Sequence, residues 1–181
     1  MKIVSLSAGV FFFIVLLLTQ QAMADDANVE YKVKAGYLYN FTKFITWPED
    51  KSETFNLCIV GEDPFGDLID PIEQRTAFGR PIKLFRVNSL NKEQHCHILF
   101  ISASIKDNFL LKSMLAIQEI NKSLTVGESK DFAAQGGMIG FVNRQGNIKL
   151  QINLKMLQQS DLKISAKLLE VAELVGGESN D

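Results

Sequence analysis

Two short apolar runs set the architecture open to this chain. Phe55–Val60 and Ile98–Ile101 are short and almost wholly apolar, so both read as strands buried on two sides. Strands of that kind need cover above and below, which confines the fold to layers of helix, sheet and helix. The pattern around them agrees. Val33, Tyr37, Leu38, Phe41, Phe44 and Ile45 fall at helical spacing and Trp47-Pro48 ends that segment. Asp63 and Pro64 can open a second helix with the stripe Phe65, Leu68, Ile69 and Ile72. Ile82–Val87 reads as another strand, followed later by a helix that Ser104 caps, with Ile105, Phe109, Leu110, Leu115 and Ile117 on its buried face. Leu124–Val126 is a short strand. Met138–Val142 and Ile148–Asn153 form a hairpin around Asn143–Asn147, and a last helix is expected over Leu162–Val175 with Gly176 as its stop. The predicted class is an α/β three-layer sandwich, its sheet mostly parallel and flanked by helices, with a late β-hairpin.

The first 24 residues fix the compartment. Lys2 precedes the unbroken apolar run Val10–Leu18, and Ala22-Met23-Ala24 places small residues where signal peptidase cuts. The run is shorter than the roughly 20 residues of a permanent membrane helix. Residues 1–24 are therefore expected to be a cleaved signal peptide, leaving 25–181 as one exported α/β domain. An exported chain works away from cytoplasmic ATP and NAD, which points toward sensing or binding. With 21 acidic against 19 basic residues and no basic patch, a nucleic-acid partner is excluded.

Chemistry-bearing motifs are sparse. Cys58 and Cys96 are the only cysteines, and an even pair in an exported protein is most simply a disulfide. Closing the loop between them would stabilise by about 4 kcal/mol in the chain-entropy model. Free buried thiols are the bland alternative. His95 and His97 share a face of an extended segment, yet zinc needs more ligands than this pair and the sequence marks none. Gly61-x-x-x-x-Gly66 lacks the Lys-Ser/Thr of a phosphate loop, and its acidic residues Glu62 and Asp63, with Asp67 next to it, would repel phosphate. No serine sits in a nucleophile motif, and Ser102 or Ser104 with His97 lies on one short segment that does not assemble a triad. No catalytic residue, cofactor or metal is assigned. The loop after the first strand lies where open α/β sheets bind ligands, so a small-molecule crevice there is the alternative use of this fold. The aromatic helix carries more rings than one buried stripe needs. Tyr39, Thr42 and Trp47 are the candidates for contact with a partner, against the plainer reading of a large core contact.

The segment Val33-Lys34-Ala35-Gly36-Tyr37-Leu38-Tyr39-Asn40-Phe41-Thr42-Lys43-Phe44-Ile45-Thr46-Trp47-Pro48 closely resembles the opening of the YfiR family of exported bacterial proteins. The likeness continues in order through Leu57–Gly66, Gly79–Ile82, Cys96–Ile101, Leu124–Gly127, Gly136–Ile139, Ile152-Asn153 and Leu162–Leu169. The resemblance implies a periplasmic, non-enzymatic repressor that binds the sensor region of an inner-membrane diguanylate cyclase and lowers cyclic di-GMP. It further implies an outer-membrane-associated protein that releases some members, and it matches Cys58 with Cys96 to a family disulfide. The second cysteine pair of some members is missing here, so redox switching assigned to that pair does not transfer. A homodimer is compatible with this reading, and a periplasmic small-ligand binding protein is the alternative.

Cleavage after Ala24 predicts that intact-mass analysis of periplasmic protein finds a chain beginning at Asp25. Recovery of the full-length chain in the inner membrane would be the contrary outcome.

Overall fold

A computed structural model describes residues 28–90, 95–120 and 122–176, without the side chains of 117–120. The expected signal segment, the side chain of Ile117 and the tail from Gly177 lie outside this description. A helix, α1, covers 28–44 and runs straight into the two-residue strand β1, Ile45–Thr46. Then come β2 (Phe55–Val60), two 3₁₀ turns (Gly66–Leu68 and Asp70–Gln74), β3 (Thr76–Ala77) and β4 (Arg80–Val87). The second half contains β5 (Ile98–Ile101), α2 (Asn108–Ile120), β6 (Leu124–Gly127), β7 (Ile139–Arg144) and β8 (Asn147–Asn153). It closes with α3 (Leu154–Gln159), β9 (Lys163–Ile164), α4 (Ala166–Leu169) and β10 (Glu173–Val175).

Eight strands form one mixed sheet in the order β10-β8-β7-β6-β5-β2-β4-β3. Neighbours from β4 through β7 are parallel, the β7–β8 hairpin is antiparallel, and β10 returns parallel to β8. The α/β class with a mostly parallel sheet and a late hairpin is therefore as expected. Alternation along the two central strands builds the layers. Leu57, Ile59, Ile98 and Phe100 face the larger core under α1, with Leu38, Phe41 and Phe141. Cys58, Val60, Leu99 and Ile101 face the opposite way, onto Leu111 and Met114 of α2 and onto Phe132. Each large apolar side chain fully removed from water contributes about 1.5–3 kcal/mol, so sealing both faces at once is what makes these two strands the axis of the fold. Cys58 and Cys96 are bonded on the α2 side, their Cα atoms 5.8 Å apart.

Several local expectations are corrected. Instead of a helix after β2, the stripe Phe65, Ile69 and Ile72 is buried on two 3₁₀ turns. Asp63 still accepts the Phe65 N–H, but its second oxygen binds Arg86. Helix α2 begins at Asn108 with Asp107 accepting the Phe109 and Leu110 N–H groups, and Ser104 accepts the Glu62 N–H instead. Its buried phase is Leu111 and Met114, while Phe109 is 81% exposed and Leu110 is also exposed. The hairpin turn is tighter than five residues. Gln145 and Gly146 both take positive φ, 55° and 83°, the pair of left-handed residues a two-residue turn needs to match strand twist. The expected last helix over Leu162–Val175 breaks into β9, α4 and β10. Lys163–Ile164 pair with Ile45–Thr46, and Glu173–Val175 pair with Gln151–Asn153, so partners distant in the chain outbid local helical spacing.

With the bridge buried in the α2 layer, Cys58→Ser should lower unfolding free energy by about 2–5 kcal/mol. Urea denaturation of the variant against wild type measures this, and an unchanged midpoint would count against a structural role.

Candidate functional site

Polar groups gather at the two ends of the central strands, and α1 reaches both. At the amino-terminal end, His97 is a junction. Its backbone N–H donates to Asn56 O, and its carbonyl accepts from Leu124 N and from Trp47 Nε1, each at 2.8 Å. Its ring is buried and stacked on Phe55 with centroids 4.4 Å apart. Nδ1 accepts the Asn56 N–H at 2.9 Å, which leaves the ring proton on Nε2, donating to Asp50 Oδ2 at 2.7 Å. His95 Nε2 lies 3.7 Å from the same oxygen, and Arg80 binds the other oxygen of Asp50 at 2.6 Å.

Asp50, His95 and His97 bring three ligand-type atoms within 4.8 Å of one another. Nothing in the sequence marked Asp50 as a third member. Yet a metal would need the Nε2 lone pair of His97, and moving the proton to Nδ1 would set it against the Asn56 N–H. Both ring nitrogens are already committed, so the cluster works as a structural network that joins β2, β5 and the loop after β1. Burial, the largest influence, pushes the His97 imidazole down to about 4, outweighing the Asp50 carboxylate that would raise it. For Asp50, burial acts upward, but hydrogen bonds from Ser52 and His97 prevail and hold the carboxyl far below the usual range.

At the carboxyl end lies the crevice where the strand order reverses, between β2 and β5. Side-chain contacts tie its loops together. The Glu62 N–H donates to Ser104 Oγ at 2.9 Å, stitching the loop after β2 to the loop after β5. Glu128, just past β6, accepts Lys34 Nζ from α1 at 2.6 Å, and Glu30 pairs with the same ammonium. Lys34 is only 4% exposed and sits 4.5 Å over the Tyr31 ring. Burial alone would lower its pKa, but the two carboxylates outweigh that and raise it. Lys34 falls in register with Leu38, Phe41 and Ile45, on the buried stripe of α1, whereas Val33, expected there, is 43% exposed. A lysine at that place in an apolar stripe was the available sign of a buried ion pair. Ser102 and Ser104 are tied into these loops, and His97 stands at the opposite end of the strands. Among the described residues no serine and histidine come together as nucleophile and base.

The three residues proposed for partner contact separate. Trp47 is 8% exposed and packs edge-on against Phe55 and Phe78, 5.1 and 5.8 Å away, so it is a core residue. Its indole N–H had a buried acceptor, and burial follows. Thr42 turns inward on its own helix, donating to Tyr39 O at 2.7 Å. Tyr39 remains at the surface. It lines a groove of about 190 Å³ between α1 and the 3₁₀ turns, with Gly36 on one wall and Leu68, Ile69 and Ile72 on the other. Lys43 Nζ lies 4.6 Å and Arg75 Cζ 5.7 Å from the Tyr39 ring centre. A Cβ built on Gly36 would meet nothing within 4 Å. Glycine inside a helix costs about 1 kcal/mol relative to alanine, and no packing within this chain requires it here. Gly36 and Arg75 are surface features that sequence reading passed over, because the groove exists only once α1 and the 3₁₀ turns are side by side.

The His97 shift carries a pH dependence. Unfolded His97 titrates near its ordinary 6.5 and folded His97 near 4, so between these values the unfolded chain holds more protons. Stability therefore rises with pH across that window, is fully present above it, and is lost as pH falls. Urea midpoints should drop from pH 7 to pH 5 in wild type, and less steeply in His97→Gln. Equal slopes would place the titration elsewhere.

Comparison with known proteins places this geometry. No curated protein matches the chain. Eight chains of solved structures match. Among them is the ABC domain in complex with L-Trp from Streptococcus pneumonia, 11% identical with a TM-score of 0.49. That match covers 76% of this chain, which spans 59% of the other's length. One family model, DUF4154, described as YfiR/HmsC-like, matches residues 31–173, from the Tyr31 that contacts Lys34 to the Glu173 that opens β10. Since that span holds all of α1 after residue 30, nearly the whole sheet and every member of the two polar clusters except Glu30, the chain belongs to the YfiR/HmsC-like family.

Proposed function

We propose that this protein is an exported, non-enzymatic regulator that binds the periplasmic sensor region of an inner-membrane diguanylate cyclase and holds the enzyme off. The family match over 31–173 carries the reading. The amino-terminal segment supports it, since the charged, apolar and small-residue order of residues 1–24 is that of a cleaved export signal, leaving 25–181 to act as one domain in the periplasm. Among the described residues no helix is long and apolar enough to cross a membrane. The site geometry favours binding over catalysis. Near the carboxyl ends of the strands Lys34, Glu30 and Glu128 neutralise one another in a buried ion-pair group, an arrangement that supports a structural part for them over a catalytic one. An exported protein cannot touch a cytoplasmic catalytic domain, so control has to pass through the cyclase's periplasmic region. The regulator must bind the off state more tightly than the on state, because equal affinity shifts nothing. An outer-membrane-associated protein that competes for the regulator would then raise cyclic di-GMP by mass action.

Deleting this protein should raise cyclic di-GMP and biofilm matrix, and a second deletion of one membrane diguanylate cyclase should abolish the rise. Nucleotide quantification in the single deletion and in the paired deletions measures it, with binding of purified sensor domains alongside. An unchanged level in the single deletion, with no sensor domain bound, overturns the repressor reading.

A further inference from the structure

The groove between α1 and the 3₁₀ turns has features the fold does not use. At about 190 Å³ it is smaller than the roughly 300–1,000 Å³ of small-molecule sites, and fits one large side chain. Its lining contains Lys32 and Arg75 and no acidic residue, although the chain as a whole carries net negative charge. Lys43 adds a third cation beside Tyr39. Among the described residues none of these three cations makes a salt bridge, whereas Arg80, Arg86 and Arg144 do. Gly36 leaves the helix backbone bare at the same place. Tyrosine and arginine are, with tryptophan, the residue types enriched where a few residues carry a protein interface.

We infer that this groove docks a segment of a partner protein in which a large apolar side chain is flanked by carboxylates. The apolar group lies against Gly36, Leu68 and Ile72. The carboxylates meet Arg75 and Lys43, with the Tyr39 ring between them. Charge complementarity selects an acidic segment over a basic or neutral one and speeds its encounter. This rests on the proposed regulatory role and names the surface that performs it, the partner being the sensor region of the cyclase that the paired deletions identify.

The test uses the mature chain purified from the periplasm and the purified sensor domain of that cyclase. Gly36→Leu puts bulk into the groove, and because leucine is the better helix former its melting temperature should equal or exceed that of wild type. The dissociation constant should rise at least about 30-fold. The double variant Lys43→Glu with Arg75→Glu, both exposed, should slow association at low ionic strength by about tenfold and flatten its salt dependence. Wild-type affinity in Gly36→Leu overturns the groove and leaves the repressor reading standing. No binding by wild type overturns the repressor reading and the occupant together. A change confined to self-association, read by sedimentation velocity, would make the occupant a second copy of this chain and equally overturn the proposal.

Discussion

Burial of β2 and β5 on both faces is the constraint on which the molecule depends. A strand with one wet face needs one covering layer, but Phe55–Val60 and Ile98–Ile101 need two. The first layer is α1, whose Leu38 and Phe41 close over Leu57, Ile59 and Phe100. The second is α2 with Phe132, which pack over Val60, Leu99 and the disulfide. Phe132 comes so near Gly127 that a side chain at that position would collide with its ring. The edge strands β3 and β10 are two and three residues long, which limits the unpaired backbone they offer to other chains.

Strands buried on both faces end in buried polar backbone, and the chain resolves this differently at each end. At the amino-terminal end a neutral histidine satisfies backbone groups of β2 and β6 and a tryptophan at once, so the only full charges there are the partly exposed pair Asp50 and Arg80. At the carboxyl end full charges are buried but paired, Lys34 between Glu128 and Glu30. Removing one member of such a group costs about 3–5 kcal/mol because the other charge is left uncompensated. Both clusters contain groups that elsewhere do chemistry. Here most of their lone pairs and protons are engaged with one another, His95 Nε2 alone lacking a hydrogen-bond partner among the described residues.

Much of the sheet was legible from composition alone. The apolar runs and the late hairpin needed only local pattern, and both correspond to observed elements. The failures share a cause. Leu162, Leu168 and Leu169 have helical spacing, but the segments around them are held as strands by Ile45–Thr46 and Gln151–Asn153, which no local window contains. The phase of α2 was misjudged because Phe109 and Leu110, at its first turn, look like core and face water. Trp47 reads as a candidate for partner contact because its acceptor, the His97 carbonyl, lies 50 residues away in sequence. The site was less legible than the fold. Tyr39 could be singled out by its position on the helix, but the cations and the bare glycine around it come together only through tertiary packing.

The long reach of α1 has a consequence for how the molecule assembles. Its first turns bind Glu128, 94 positions onward, and the strand that ends it pairs with Lys163–Ile164. A chain delivered amino terminus first, from the ribosome or through a membrane channel, therefore presents α1 long before its partners arrive. Until then β2 and β5 can offer Leu57, Ile59 and Phe100 to the helix, but Phe141 and the strand that pairs with β1 are still missing. The sheet can begin earlier, because β2, β4 and β5 need only residues up to Ile101, and the cysteines lie within that stretch. The bridge can thus be sealed while α1 is still undocked, and such non-local closure is the slow part of folding. During that interval the helix carries apolar side chains that the finished fold buries and the partial chain covers only in part.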